Sequence, residues 1–336
     1  MQNLSSRGIP FWKACTAVPS VTTETWRASG AAARWLIASR APVLVMTFSS
    51  AALGGVLALL DGRFDAVAWL ACAVGLLLAH AANNQLNDLT DSALGIDRGN
   101  YFRNRYGTHV LEDGLLTRTQ LLGSIAITGS AALAIGVWLA LRIGPAVAWP
   151  LCGGAFFLLF YTWPLKRLGL GEIAVWLVWG PLMTGGSYLA AAGTWSTSAA
   201  GIGAVAALAP TAVIFGKHID KLAFDREKGV LTMPVRLGAA RSRGVAIAII
   251  ALPYLCIPVL AASGILPWTA LFVMFALRDA ARAIHMYRAP APTQCPAGYS
   301  TDVWPLWYSA YAFAHARSFG LLLLAGLITA RLFAAP

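Results

Sequence analysis

FDAVAWLACAVGLLLAHAANNQLNDLTDSALGID, residues 64–97, decides the fold. Residues 64–82 carry one charge, Asp65, whereas residues 83–97 carry three aspartates and three asparagines. The apolar half is long enough to cross the ~30 Å hydrocarbon core of a bilayer as a helix. It is rich in Ala and Leu and shows no apolar/polar alternation, so a strand is excluded. Comparable runs recur at roughly 41–60, 119–141, 145–163, 170–193, 200–218, 244–264, 267–283 and 314–333, nine with this one. The chain is 58% hydrophobic and 12% charged over 336 residues, too few charges to cover a soluble surface of that size. The expected fold is all-α: a polytopic membrane protein of about nine transmembrane helices around a central cavity. Residues 1–35 are expected to form a cytoplasmic N-terminal extension and residues 36–336 a single transmembrane domain.

In a soluble chain the net charge of +11 would suggest nucleic acid. Here its placement matters more. Nine spans put the termini on opposite faces. With the N-terminus cytoplasmic, all of the 25 Lys and Arg residues except Arg63, Arg142 and Arg331 fall on that side. That asymmetry sets orientation in a plasma (inner) membrane and leaves no reason to invoke nucleic acid. The five cysteines form no CxxC pair or metal-ligand spacing. The first 35 residues lack an apolar core with a cleavage site, so no removable signal peptide is expected.

The long loops on the cytoplasmic side, 87–118 and 217–243, carry the chemistry. On a continuing helix His80, Asn84, Asn87, Asp88 and Asp91 share one face. Carboxylates cannot face lipid cheaply, so this face lines a cavity or the bundle interior. A lone Asp would read as a solvated helix end, but two Asp with two Asn on one stripe, and a third Asp six residues further on, do not. Hard oxygen ligands without His or Cys partners favour Mg²⁺, which takes one or two carboxylates and leaves its remaining positions to water and phosphate. Asp88, Asp91 and Asp97 are the metal candidates here, with Asn84 and Asn87 placed to contact a diphosphate.

The second cluster is GKHIDKLAFDREKGVLTMPVRLG, residues 216–238. Asp220 and Asp225 are its candidate metal ligands, and Lys217 and Lys221 its candidate diphosphate contacts. Five residues apart, the two aspartates stand about 140° apart on an ideal helix, so either the helix unwinds or they serve different purposes. A third element, YTWPLKRLGLGE (161–172), carries Lys166 and Arg167. Either they follow the positive-inside rule or they contact phosphate oxygens of a leaving group. The segment 284–313, rich in Pro, Gly, Trp and Tyr, suits an interface and receives no chemical role.

These motifs resemble the UbiA-type intramembrane prenyltransferases over about residues 35–335. NDLTDSALGID is similar to that family's first Asp-rich motif, and its Gly95-Ile96-Asp97 ending to the branch that prenylates 1,4-dihydroxy-2-naphthoate. HVLEDGLLT (109–117), YTWPLKRLGLGE, TMPVRLG (232–238) and Arg40-Ala41-Pro42 resemble further family segments in the family's order. Two positions depart from the pattern. Lys221 stands where the second motif's earlier Asp is usual, and His109 where many members have Arg.

The resemblance implies that Asp88, Asp91, Asp220 and Asp225 are catalytic, holding an isoprenyl diphosphate through Mg²⁺ while the lipid tail lies within the membrane. It also implies an aromatic acceptor attacking an allylic cation, with Tyr161 or Trp163 as possible cation or tail contacts. Two other functions are the alternatives, the first allowed by the resemblance and the second disfavoured by the composition. A terpene cyclase of the same superfamily would ionise the diphosphate without an acceptor. A transporter with acidic gates would need charged residues near mid-span, where this chain is almost entirely apolar.

Overall fold

Caps and breakers in the sequence mark the helix ends. The computed structural model describes residues 8–16, 21–97, 107–301 and 303–333, and no strand occurs among them. Asp65 caps α5 (Ala66–Ala93), accepting from the amides of Val67 and Ala68 at 3.0 Å each and pairing with Arg142 at 2.7 Å. The Ala68 amide first, then Arg142, hold its carboxyl below the usual carboxylate range. At about 1.5 Å per residue α5 runs about 42 Å, longer than the ~30 Å hydrocarbon core, so its Asp-bearing turns project past it. Thr117 and Gln120 form a reciprocal capping box at the start of α6 (Arg118–Ile143).

Among the described residues, eight stretches are long and apolar enough to span a membrane: Ala41–Leu60, Ala66–Ala93, Arg118–Ile143, Pro145–Leu168, Gly171–Ala192, Thr197–Asp220, Ala239–Ala262 and Tyr308–Phe333. This is a multi-span helical membrane protein. The ninth apolar run, 267–283, is built differently. A 3₁₀ helix, Trp268–Ala276, continues directly into an α-helix, Leu277–Tyr287, whose first turns carry Arg278, Asp279 and Arg282. Those charges separate it in composition from the other eight.

The N-terminal extension is folded where it is described. Three short helices, α1 (Phe11–Thr16), α2 (Thr23–Ala28) and α3 (Ala31–Ala38), bury Trp26, Leu36 and Ile37. These join a cluster with Val110 and Leu121, from the segment leading into α6 and from α6 itself. The extension thus packs over the loop that follows the Asp-rich end of α5.

The main core lies among α4 (Val45–Leu60), α9 (Met183–Ala192), α11 (Leu208–Asp220), α14 (Ala239–Ala262), α15 (Leu277–Tyr287) and α16 (Tyr308–Phe333). Lipid is as apolar as Leu, so close van der Waals packing rather than burial from water holds such helices together. Gly54 illustrates this: a Cβ there would stand 2.3 Å from the Thr184 carbonyl, so only Gly lets α4 approach α9 so closely. By contrast α7 (Ala148–Phe160) buries no residue and leaves Phe156, Leu159 and Phe160 exposed, as a lipid-facing helix would.

Candidate active site

The site begins with a strained residue. Arg40, between α3 and α4, is the one non-glycine among the described residues with positive φ (φ 54°, ψ 50°). That conformation costs of order 1–3 kcal/mol for such a residue and must be held by its surroundings. Here α5 holds it. Asn84 Nδ2 donates to the Ser39 carbonyl at 2.9 Å, and Gln85 Nε2 to Ser39 Oγ at 2.9 Å. The Arg40 guanidinium in turn donates to the Asn84 carbonyl at 2.8 Å and to Asp88 Oδ1 at 2.9 Å. Asn84, expected to meet a diphosphate, holds this turn through its side-chain amide. Asn87 Oδ1 accepts from Thr162 Oγ1 at 3.1 Å. His80, two turns before Asp88 on the same stripe, is satisfied inside the bundle by Thr47 at 2.7 Å.

Lys166 comes from the segment that follows α7. Pro164 lacks the amide that a continuing helix needs, and Trp163 before it adopts extended angles (φ −140°, ψ 125°). The helix therefore unwinds over Tyr161–Leu165, re-forms as one 3₁₀ turn at Lys166–Leu168, and closes on Gly169 (φ 75°). This break turns Lys166 inward, 5% exposed, to meet Asp91 Oδ2 at 2.7 Å. Trp163 faces outward at 56% exposure, away from the acids. Arg167 is half-buried and makes no ion pair with the acids among the described residues. Tyr161 stays within electrostatic reach of Lys166 and Asp91.

The second cluster divides its two aspartates. Helix α11 ends at Asp220, and α12 (Leu222–Glu227) resumes after the break at Lys221. Asp220 points to α16, accepting from the amides of Tyr308 (2.9 Å) and Ser309 (3.0 Å) and from Ser309 Oγ (2.6 Å). It ties down the first residues of that helix. Gly216 makes the approach possible, because a Cβ there would lie 2.3 Å from Tyr287 Oη. Asp225 turns inward, fully buried, with Lys221 Nζ 3.3 Å from its Oδ1. That distance makes an ion pair without the geometry of a hydrogen bond.

The two acidic loops converge on one place. Lys166 pairs with Asp91 and lies within electrostatic range of Asp225. Lys217 lies within electrostatic range of Lys166, Lys221, Arg40 and Asp225. Lys228, after α12, donates to the Gly95 carbonyl at 3.5 Å and joins the loops directly. Asp97 accepts from His109 Nε2 at 2.9 Å, and His109 Nδ1 accepts from the Glu112 amide at 3.3 Å, which fixes the ring proton on Nε2. Asp88, Asp97 and His109 bring potential ligand atoms within 4.8 Å of one another. Among the described residues, Asp91 Oδ1 and both oxygens of Asp225 are buried without a hydrogen-bond donor. Buried carboxylate oxygens that lack donors fit a hard divalent cation.

Several residues here were not singled out from sequence. Arg40 was legible only as part of Arg40-Ala41-Pro42, the segment resembling the family's first-helix start. His109 was visible only as a departure from a family pattern. Glu172 and His218 carried no spacing signal, yet they form a buried pair at 2.6 Å, with Glu172 Oε2 and His218 Nε2 unpartnered.

Comparison with known proteins gives a family match, relatives in sequence and neighbours in structure. A sequence profile described as the UbiA prenyltransferase family matches residues 47–309. The chain is 26% identical over 221 residues to the 1,4-dihydroxy-2-naphthoate octaprenyltransferase of Escherichia coli K12, covering 62% of this chain and 70% of that protein. It is 24% identical over 288 residues to the UbiA prenyltransferase domain-containing protein 1 of Xenopus tropicalis, covering 82% and 83%. Among solved structures, a UbiA homolog from Aeropyrum pernix K1 shares the fold with a TM-score of 0.63 at 19% identity, over 85% of this chain and 98% of that one. A digeranylgeranylglyceryl phosphate synthase does so at 0.56 and 15%, over 88% and 98%.

Proposed function

The chain belongs to the UbiA prenyltransferase family and is a prenyltransferase; from that premise we propose that it transfers an isoprenyl group from an allylic diphosphate to an aromatic acceptor. The acceptor is a quinone precursor or phenolic metabolite, and the cofactor is Mg²⁺. One observation carries the reading: four basic side chains, Arg40, Lys166, Lys217 and Lys221, crowd around buried Asp88, Asp91 and Asp225 at one end of an apolar bundle. So dense a cluster of both signs suits a ligand with an anionic head and a greasy tail, bound together with a metal.

Asp88, Asp91, Asp97 and Asp225 would hold Mg²⁺, which when bound neutralises charge on the leaving diphosphate. Asp220, whose carboxylate already accepts three hydrogen bonds, keeps its place as the latch to α16. Arg40, Lys166, Lys217 and Lys221 bind phosphate oxygens and stabilise the charge that grows as the allylic C–O bond breaks with its electron pair. An electron-rich aromatic carbon then forms the new C–C bond, and its ring proton passes to the released diphosphate. The apolar bundle keeps water from the allylic cation, and the ring of Tyr161 offers it a face. The head-group site lies on the cytoplasmic side of the plasma membrane, where the positive-inside asymmetry puts the loops.

The test is a matrix of allylic diphosphates, from dimethylallyl to polyprenyl, against naphthoate, benzoate and other phenolic acceptors, with product masses as readout. Prenylated acceptor, formed only when acceptor is supplied, is expected. Release of prenyl alcohol or hydrocarbon regardless of acceptor would assign a terpene cyclase instead.

A further inference from the structure

Each carboxylate at the heart of the cluster already has a basic partner, and the three partners come from three parts of the chain. Asp88 Oδ1 pairs with Arg40 at 2.9 Å, Asp91 Oδ2 with Lys166 at 2.7 Å, and Asp225 Oδ1 with Lys221 at 3.3 Å. All three acids and both lysines are buried, so water cannot compensate a broken pair. A buried ion pair that serves only to hold a fold has its remaining lone pairs satisfied. These do not: among the described residues, Asp91 Oδ1 and both oxygens of Asp225 lack a donor. The pairing is complete in charge and incomplete in hydrogen bonds.

We infer that the Lys166–Asp91 and Lys221–Asp225 pairs are the resting form of an exchange site, in which the carboxylates trade their ammonium groups for a divalent cation and the freed lysines turn to the phosphate oxygens. This rests on the diphosphate-binding function proposed above. The physical ground is the cost of doing either half alone. A divalent cation without diphosphate leaves displaced ammonium groups buried and unpaired, close to Arg40 and Lys217. Diphosphate without the cation strips lysines from buried carboxylates. Either state leaves an uncompensated buried charge, and only the two ligands together pair every group. The cation and the diphosphate therefore bind cooperatively, and reciprocally so, with each tightening the other by about 5- to 150-fold.

The experiment uses the purified full-length protein in detergent, with Mg²⁺ and inorganic pyrophosphate added singly and together. Calorimetry and thermal melting read the binding. The informative variants are Lys221→Met and Lys166→Met, which keep the aliphatic stem and remove the charge. Each is expected to bind Mg²⁺ alone about fivefold or more tighter than the intact protein, and metal-free pyrophosphate weaker by a similar factor. Chelation of Mg²⁺ by pyrophosphate in solution is the same for all proteins and cancels in the comparison. A purely structural pair cannot give opposite signs for the two ligands. Unchanged or weaker Mg²⁺ binding in the variants overturns the exchange, while cooperative binding by the intact protein would leave the diphosphate site standing. If one variant does not fold, the other decides. If neither folds, the intact protein decides, and independent binding of the two ligands overturns the exchange. An intact protein that binds neither ligand, alone or together, overturns the diphosphate reading and the exchange with it.

Discussion

Lys166 Nζ lies 2.7 Å from Asp91 Oδ2, at the point where Pro164 has unwound the helix that carries the lysine. The adjacent Arg167 has no such contact among the described residues, although sequence gives both the same reading. Lys166→Met is expected to lower kcat by about 100-fold or more, the usual scale for removing one preorganised stabiliser of developing charge. Arg167→Met should stay within a few fold. Steady-state rates with any accepted substrate pair check this, and equal losses in the two variants would contradict it.

The left-handed backbone of Arg40 gives a stability prediction separable from activity. Arg40→Ala and Arg40→Gly both remove the guanidinium that reaches Asp88, so both should lose most activity. They differ in backbone. Ala must still adopt φ near 54°, and Gly does so freely, so Arg40→Gly should be more stable by roughly 1–2 kcal/mol. Melting curves of the two proteins in the same detergent decide it. Equal stability, or a more stable Ala variant, would mean that the turn relaxes without arginine.

Asp220 and Asp225, five residues apart, should fail in different ways. Asp220→Ala leaves the Tyr308 and Ser309 donors without their acceptor at the start of α16. The expected loss is on the scale of a helix cap, about 0.5–2 kcal/mol, with the Mg²⁺ requirement unchanged. Asp225→Asn should raise the Mg²⁺ needed for half-maximal rate or abolish turnover. Metal titrations and melting temperatures on both variants separate the roles. A raised Mg²⁺ requirement in Asp220→Ala would return that residue to the metal site.

At the opposite end of the bundle Asp65 gives a pH prediction. Its folded pKa is lowered from the ordinary 3.8, first by the Ala68 amide and then by Arg142. A lowered carboxylate contributes stability that is fully present above the unfolded value and is lost as pH falls through the folded one. The melting-temperature gap between wild type and Asp65→Ala should thus hold steady from about pH 5 to pH 8 and close only below about pH 4. A gap that closes near neutral pH would contradict the cap.

Eight membrane helices were legible because a continuous apolar run of sufficient length has one solution in lipid. The ninth run reads differently because apolar count does not distinguish an α-helix from a 3₁₀ stretch running into the charged turns of Leu277–Tyr287. The acidic stripe of α5 was legible for the same periodic reason, and the structure does place Asp88 and Asp91 inward. Asp220 was not separable from Asp225, because its partners, Tyr308 and Ser309, lie 88 and 89 residues away in the chain. Arg40 was quoted only as part of a helix start. Its place beside Asp88 depends on a left-handed turn that no spacing rule gives for arginine, and that α5 imposes through Asn84 and Gln85.

The most direct test of the central claim is pyrophosphate release from an allylic diphosphate in the presence of acceptor. It is measured for the wild type with and without EDTA, and for Asp88→Asn, Asp91→Asn and Asp225→Asn. Release that requires Mg²⁺ and disappears in all three variants is the expected result. Release that persists in EDTA, or in folded Asp91→Asn and Asp225→Asn proteins, would contradict an active site built where the two acidic loops meet.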